Sequence, residues 1–353
     1  MRVSHSARCT LATAGLLVAG LTACSHEQGP SEFNPGGVTA DLTTAEGAFD
    51  SPATASFSAT GVEIAATLGA AGPVVISPKM ALLHPTGADA YAKRVTTMLP
   101  KTSRISASLA SIPPAYLGTT FVWDPDSATY VASDRTGAPV DGVRFILYAI
   151  DPVTFQPVEP LDELGYVDVV DVSTNTVLAT HVLVYADGRT WLEYTVSGTG
   201  TASSGSVDVE GYASNGVDRV NYTLANTIAQ STNGIVLTLD YSLSVPTRAL
   251  TVSYTATFGN IAPDQVAVTL DFNIAGRNGD VRVSGTYGAE GGAFSVRVNG
   301  EVFATVTITN GQPVVESATG TALTAEEEAS LQSILAFYDG SLSIFDDLFV
   351  PGS

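Results

Sequence analysis

Between about Thr119 and Ile308 apolar residues recur at every second position. Ile235, Leu237, Leu239, Tyr241, Leu243 and Val245 alternate with Val236, Thr238, Asp240, Ser242 and Ser244. The same alternation runs through Leu250 to Phe258, Val266 to Ile274, Val281 to Tyr287 and Phe294 to Val298. A period of two buries one face of each segment and leaves a Thr/Ser-rich face in water, the pattern of half-buried antiparallel strands. Asp187-Gly188, Asn215-Gly216, Asn233-Gly234, Asn278-Gly279 and Asn299-Gly300 fall between the runs. These dipeptides tolerate the positive φ that a tight hairpin needs. The reading is a meander of roughly a dozen strands, filling residues 119–322.

On either side the period lengthens. Residues 52–118 read as a mixed, partly helical segment. Phe57 to Leu68 fits helix or strand. Thr86 and Asp89 open a helix whose stripe is Ala88, Tyr91, Ala92, Val95, Met98 and Leu99, ended by Pro100. Ile105 to Ile112 reads as a second, short helix. Beyond the meander, Thr324 and Glu327 form a capping box. Leu331, Ile334, Leu335, Tyr338, Leu342, Phe345 and Phe349 then make one stripe. The spacing predicts a C-terminal helix in residues 323–353 with an apolar face that must be buried.

The width of the sheet constrains the architecture. A dozen strands about 4.8 Å apart span over about 50 Å, whereas a helix is about 10 Å across. Few helices are in prospect, so a flat sheet would leave apolar surface in water. The expected fold is therefore mainly β: a strongly curved antiparallel meander, a half-barrel or open barrel, packed on the C-terminal helix. Two packed sheets are the alternative. The apolar face carries an aromatic on nearly every strand, among them Tyr222, Tyr241, Tyr254, Phe272 and Tyr287. A tyrosine hydroxyl in a dry core needs a partner. These five are the candidate ligand-binding residues if the concave face is an amphipathic cavity for an acyl chain or other apolar ligand. Otherwise they are core with hydroxyls at its rim. This outline resembles the open-barrel periplasmic lipoprotein carriers and receptors, LolA and LolB, which supports lipid binding and assigns no residue.

Charge and the first residues say where the chain belongs. It has 353 residues, 15 Lys+Arg against 35 Asp+Glu, and a formal net charge of −20. Such a balance argues against nucleic acid. The start differs from the rest: Arg2 and Arg8 precede an apolar run, Leu11 to Gly20, that is too short for a bilayer span of about 20 residues. Leu21-Thr22-Ala23-Cys24 follows and resembles the lipobox of bacterial lipoproteins. The resemblance implies a signal peptide over residues 1–23, cleavage before Cys24, and a lipid anchor, palmitate among its acyl chains, on Cys24. Ser25, rather than Asp, is compatible with the outer membrane, facing the periplasm, in a Gram-negative host. Residues 24–51, with Asn34-Pro35-Gly36-Gly37, read as a flexible tether. Cys9 and Cys24 are the only cysteines, so the processed body has no disulfide or thiol site. Its acidity predicts repulsion from anionic head groups, leaving the acyl chains to hold it at the membrane.

Candidate chemistry is sparse. His84 and His181 lie in the expected body, with no HExxH pattern, no nucleophile elbow and no phosphate loop. Asp124-Pro125-Asp126 lacks the later ligands of a calcium loop. Asp168, Asp171, Asp208 and Glu210 read as a solvated face. No cofactor or metal is called for. The expectation is a non-enzymatic envelope lipoprotein that binds or scaffolds, with a lipid, another hydrophobic ligand or an envelope protein as partner. An outer-membrane β-barrel is the alternative, and a hydrolase on a β scaffold the least favoured.

Overall fold

The computed structural model describes residues 34–68 and 112–332, apart from residues 202, 233, 263–264, 289–290, 310–311, 326–327 and 330. A helix α1 (Pro35–Glu46), a 3-10 turn (Gly47–Phe49) and a helix α2 (Pro52–Leu68) precede the sheet. The strands are β1 (Thr119–Asp124), β2 (Thr129–Ser133), β3 (Gly142–Tyr148), β4 (Glu163–Asp171), β5 (Leu178–Ala186), β6 (Arg189–Gly200), β7 (Ser204–Ser214) and β8 (Arg219–Ser231). They continue as β9 (Gly234–Val245), β10 (Leu250–Ala262), β11 (Gln265–Gly276), β12 (Gly279–Gly288), β13 (Gly291–Val298), β14 (Glu301–Thr309) and β15 (Gln312–Ser317).

All 15 strands belong to one open sheet in which β3 to β15 are neighbours in chain order. The protein is thus mainly β, an unclosed meander in keeping with a half-barrel. One pair departs from the antiparallel expectation: β1 lies parallel to β3, and β2 forms the edge beyond it. The turn dipeptides do what their chemistry allows. Asp187 and Gly188 take φ of 53° and 78°, and Asn299 and Gly300 take 49° and 84°, the left-handed pairs of a two-residue hairpin.

The apolar face is the core. Leu237, Leu239, Tyr241, Leu243 and Val245 of β9 are all buried, as are Leu250, Val252, Tyr254, Ala256 and Phe258 of β10. Several glycines on this face make room for rings. Gly211 in β7 stands between Tyr194 of β6 and Tyr222 of β8, and a Cβ there would overlap the Glu193 carbonyl and the Tyr194 side chain.

The helices cover the sheet in an unexpected way. Residues 34–51 are not a tether: α1 forms there, with Val38, Leu42, Ala45 and, after it, Ala48 in the core. Asn34 accepts from the Gly37 amide at 3.0 Å, and Pro35 occupies the first helical position, where a missing N–H costs nothing. The buried stripe escaped the sequence reading because half of it is alanine. α2 packs against β2, β3, β4, β5 and β6, and the 3-10 turn reaches β7. Phe49 meets Tyr222 of β8, and the start of α1 is bonded to Asn278 between β11 and β12. At a rise of about 1.5 Å per residue the two helices of this rod, with 12 and 17 residues, are about 18 Å and about 26 Å long, together close to the width of nine strand spacings. The rod runs across the strands rather than along them. Being about 10 Å across, it faces about three residues of each strand, so the full buried stripe needs sheet curl, further cover, or both.

Part of that cover is visible beyond the sheet. Helical residues begin at Ala325, and Glu328 donates its amide to the Thr324 carbonyl at 2.9 Å. Leu331 is buried in the core. The N-terminal helices pack on this core as well, cover that the sequence pattern does not predict. Phe57 to Leu68 resolves as helix. The helix expected at Thr86 to Leu99 lies outside the described residues, as do all but Ile112 of the one expected at Ile105 to Ile112, residues 333–353, and residues 1–33 with Cys24.

Candidate functional site

The apolar face carries the five aromatics that the sequence offers to a ligand. Tyr222, Tyr241, Tyr254 and Phe272 are 0–2% exposed and belong to the continuous core, while Tyr287 is half-buried. Tyr241 and Tyr254 lie ring to ring at 5.7 Å. This is a packed face, not an open mouth. It holds polar atoms all the same. The Tyr222 hydroxyl and Asn226 Oδ1, both on β8, are buried with no hydrogen-bond partner among the described residues. Burial holds the Tyr194 and Tyr222 phenols well above their ordinary pKa, Tyr222 further raised by its neighbour Tyr194.

On the polar face a trough of about 830 Å³ crosses β5 to β10, lined by His181, Glu193, Glu210, Tyr212, Arg219 and Asn221 among others. Register decides what meets there. Glu193 lies opposite Tyr212, whose hydroxyl donates to Glu193 Oε2 at 2.9 Å. Arg219 lies 3.6 Å over the Tyr212 ring and donates to Asn221 Oδ1 at 2.7 Å. Burial and the Glu193 carboxylate raise the Tyr212 phenol. His181 Nδ1 is 3.2 Å from Thr195 Oγ1, and its Nε2 is 3.7 Å from Glu193 Oε1. Hydroxyl, imidazole and carboxylate thus fall in the order of a nucleophile triad, but the last contact exceeds a hydrogen bond. Thr195 is also mid-strand, paired with His181 on one side and Glu210 on the other. The N–H groups around it belong to the ladder, so none is free for an oxyanion.

Two acids behave differently from the solvated face expected of them. Asp168 takes both Arg144 bonds at 2.7 Å, and Arg144 lies 3.5 Å over the Tyr166 ring. Asp171 accepts from the Ser173 amide at 2.9 Å. Asp124 accepts from the Asp126 amide and the Ser127 hydroxyl, a turn-forming use of the carboxylate.

A polar clamp joins the helical rod to one end of the sheet. Asn34 donates its amide to the Asn278 carbonyl at 2.8 Å, and Asn278 Nδ2 donates to Asp41 Oδ2 at 2.7 Å. Arg248 lies 3.9 Å from both Asp41 and Asp218, and Asp218 accepts from Thr247 Oγ1 at 2.5 Å. The sequence marked Asn278 only as a turn residue. The one available signal was buried-type spacing around Asp41, and its partners are more than 200 residues away. Comparison of the chain with protein-family models, curated proteins and solved structures returns no match.

Proposed function

We propose that this chain is a lipid-anchored protein of the bacterial envelope that acts by binding rather than catalysis. The observation that carries the reading is the position of Asn34. It lies ten residues beyond the lipobox Cys24 and is fixed to the β11–β12 connection. An acylated Cys24 would therefore hold one defined end of the sheet towards the membrane. The open sheet and its polar outer face also suit this reading better than a transmembrane barrel. A barrel must be closed and must turn its apolar side to lipid, whereas here the apolar side faces helices. The test is incorporation of labelled palmitate, with membrane fractionation, in wild type and Cys24→Ser. Label and membrane retention lost together in the variant support the anchor; an unlabelled wild type ends it.

A second reading concerns the apolar face. The unbonded Tyr222 hydroxyl and Asn226 carbonyl favour a lipid or other apolar ligand with a polar head, bound beside Tyr241, Tyr254, Phe272 and Tyr287 where the helical rod now lies. Native mass spectrometry of detergent-free protein tests this. A bound mass that extracts as lipid supports it; a clean apoprotein points to the polar face and to protein partners.

A further inference from the structure

We propose that two connections at the end of the sheet where α1 enters insert apolar tips into the interface of the bilayer. In a meander alternate connections share one end. The β3–β4, β5–β6, β7–β8, β9–β10, β11–β12 and β13–β14 connections therefore lie together, with Asn34 bonded at the fifth of them. The last five are at most four residues long, whereas β3–β4 runs over residues 149–162. Its outer part folds back on itself through the Ile150–Pro157 bridge and raises Val153 and Phe155 at the tip, 83% and 63% exposed. Val217, at the tip of β7–β8, is 84% exposed. The two tips stand four strand spacings apart, about 19 Å, a separation that a flat surface spans and a small ligand does not.

Single exposed apolar side chains are ordinary; these are held out. Phe155 has a φ of 56°, the left-handed region that a bulky side chain rarely enters. Asp151 keeps it there. Its carboxylate accepts from the Val153 and Thr154 amides at 2.8 and 2.9 Å, and its carbonyl accepts from the Phe155 amide at 2.9 Å. The second tip is built alike: Asn215 Oδ1 accepts from the Val217 and Asp218 amides, and Ser214 Oγ from the Gly216 amide. Backbone donors that are bonded internally, or missing as at Pro152 and Pro157, can leave water without the cost of an unpaired N–H. Residues 152–158 and 215–217 carry no charge. Trp191 stands at the same end with its ring beside Gly216, a residue type that collects at membrane–water interfaces. On the neighbouring hairpins Asp187, Asp280 and Glu301 balance Arg189, Arg277 and Arg297, so apolar transfer rather than charge supplies the attraction.

The inference rests on the anchor reading for its geometry. From Cys24 to Asn34 the chain spans at most about 35 Å, so an acylated Cys24 keeps this end of the sheet at the membrane surface. That proximity selects a bilayer as the occupant. It adds a contact to the expectation, drawn from net charge, that the acyl chains alone hold the body.

The test couples the processed chain, residues 24–353, through its one thiol, Cys24, to maleimide-bearing lipid in vesicles of phosphatidylcholine brominated along its acyl chains. The tether is then fixed whether or not a cell acylates Cys24. Palmitate labelling reads the anchor separately, so failure of the tips is distinguishable from failure of the anchor. Phe155→Trp and Val217→Trp should each lose fluorescence to the bromine beyond any loss in the unsubstituted chain. Val140→Trp should not: Val140 is 81% exposed but stands before β3, at the opposite end. The quenching should persist in high salt, since apolar transfer drives it. Phe155→Gly should keep or raise the denaturation midpoint, because glycine enters the left-handed region freely. No quenching in Phe155→Trp would overturn the proposal and leave the tips to a protein partner. Equal quenching in Val140→Trp, or a fall in the midpoint of Phe155→Gly that makes the ring structural, would overturn it as well.

Discussion

Asn278 Nδ2 donates to Asp41 Oδ2 at 2.7 Å, joining a hairpin late in the sheet to the first helix across 237 residues. The bond is charge-assisted, and Asp41 is only 6% exposed. Removing the donor leaves a buried carboxylate with Arg248 at 3.9 Å as its remaining cation. Asn278→Ala should therefore destabilise the fold by about 1.5–3 kcal/mol, read as a shifted denaturation midpoint. Gly37→Ala should act through the same bond, because its Cβ would overlap the Asn278 carboxamide. In an Asn278→Ala background the Gly37 substitution should cost much less. Additive costs would show that the two sites are independent.

Gly211 is the spacer between the Tyr194 and Tyr222 rings. Its Cβ would strike backbone, which cannot swing aside as a side-chain end can. Gly211→Ala should cost about 1–3 kcal/mol. Tyr222→Phe should do the opposite. It removes a buried hydroxyl that has no partner among the described residues, and should be neutral or stabilising by about 1 kcal/mol. A large loss of stability in Tyr222→Phe would mean that the hydroxyl is bonded in solution.

The buried phenols predict an alkaline limit. Tyr130, Tyr194 and Tyr222 all have their pKa raised, burial being the largest cause in each. A raised folded pKa means that the folded state favours the protonated form. Its contribution is complete below the unfolded tyrosine pKa of about 10 and is lost as pH climbs towards the folded values. Absorbance of tyrosinate should rise in two stages, exposed phenols first and these three together with loss of circular dichroism. Ionisation of every tyrosine in a still-folded protein would contradict their burial.

Two ion pairs should differ sharply although both are bidentate. Arg144 and Asp168 are 18% and 14% exposed, whereas Arg135 and Glu163 are both 47% exposed. Asp168→Asn should cost about 1.5–3 kcal/mol; Glu163→Gln should cost about 1 kcal/mol or less. The Arg135 guanidinium holds the Glu163 carboxyl below its ordinary pKa. Its small contribution is present above the unfolded carboxyl pKa and is lost as pH falls through the folded one. Urea midpoints of the two variants at neutral and acid pH measure both statements.

The sequence by itself determined the strands, because period-two alternation and Asx-Gly turns are local: side-chain direction and positive φ are settled within a few residues. The buried faces of β8 to β12 follow directly from it. It also determined that no disulfide forms within residues 25–353, since no cysteine follows Cys24. Only the tertiary structure decided which helices fill the concavity. The stripe of α1 is too alanine-rich to stand out in hydrophobicity, yet it is buried because small side chains let a rod lie close across many strands. The tertiary structure also placed Asp168 against Arg144 and Asp41 against Asn278, since strand register and long-range docking leave no local trace. It sorted the arginines to one end as well. Arg189, Arg219, Arg248 and Arg277 stand about 30 residues apart along the chain and share an edge only because antiparallel strands bring every second turn to the same end.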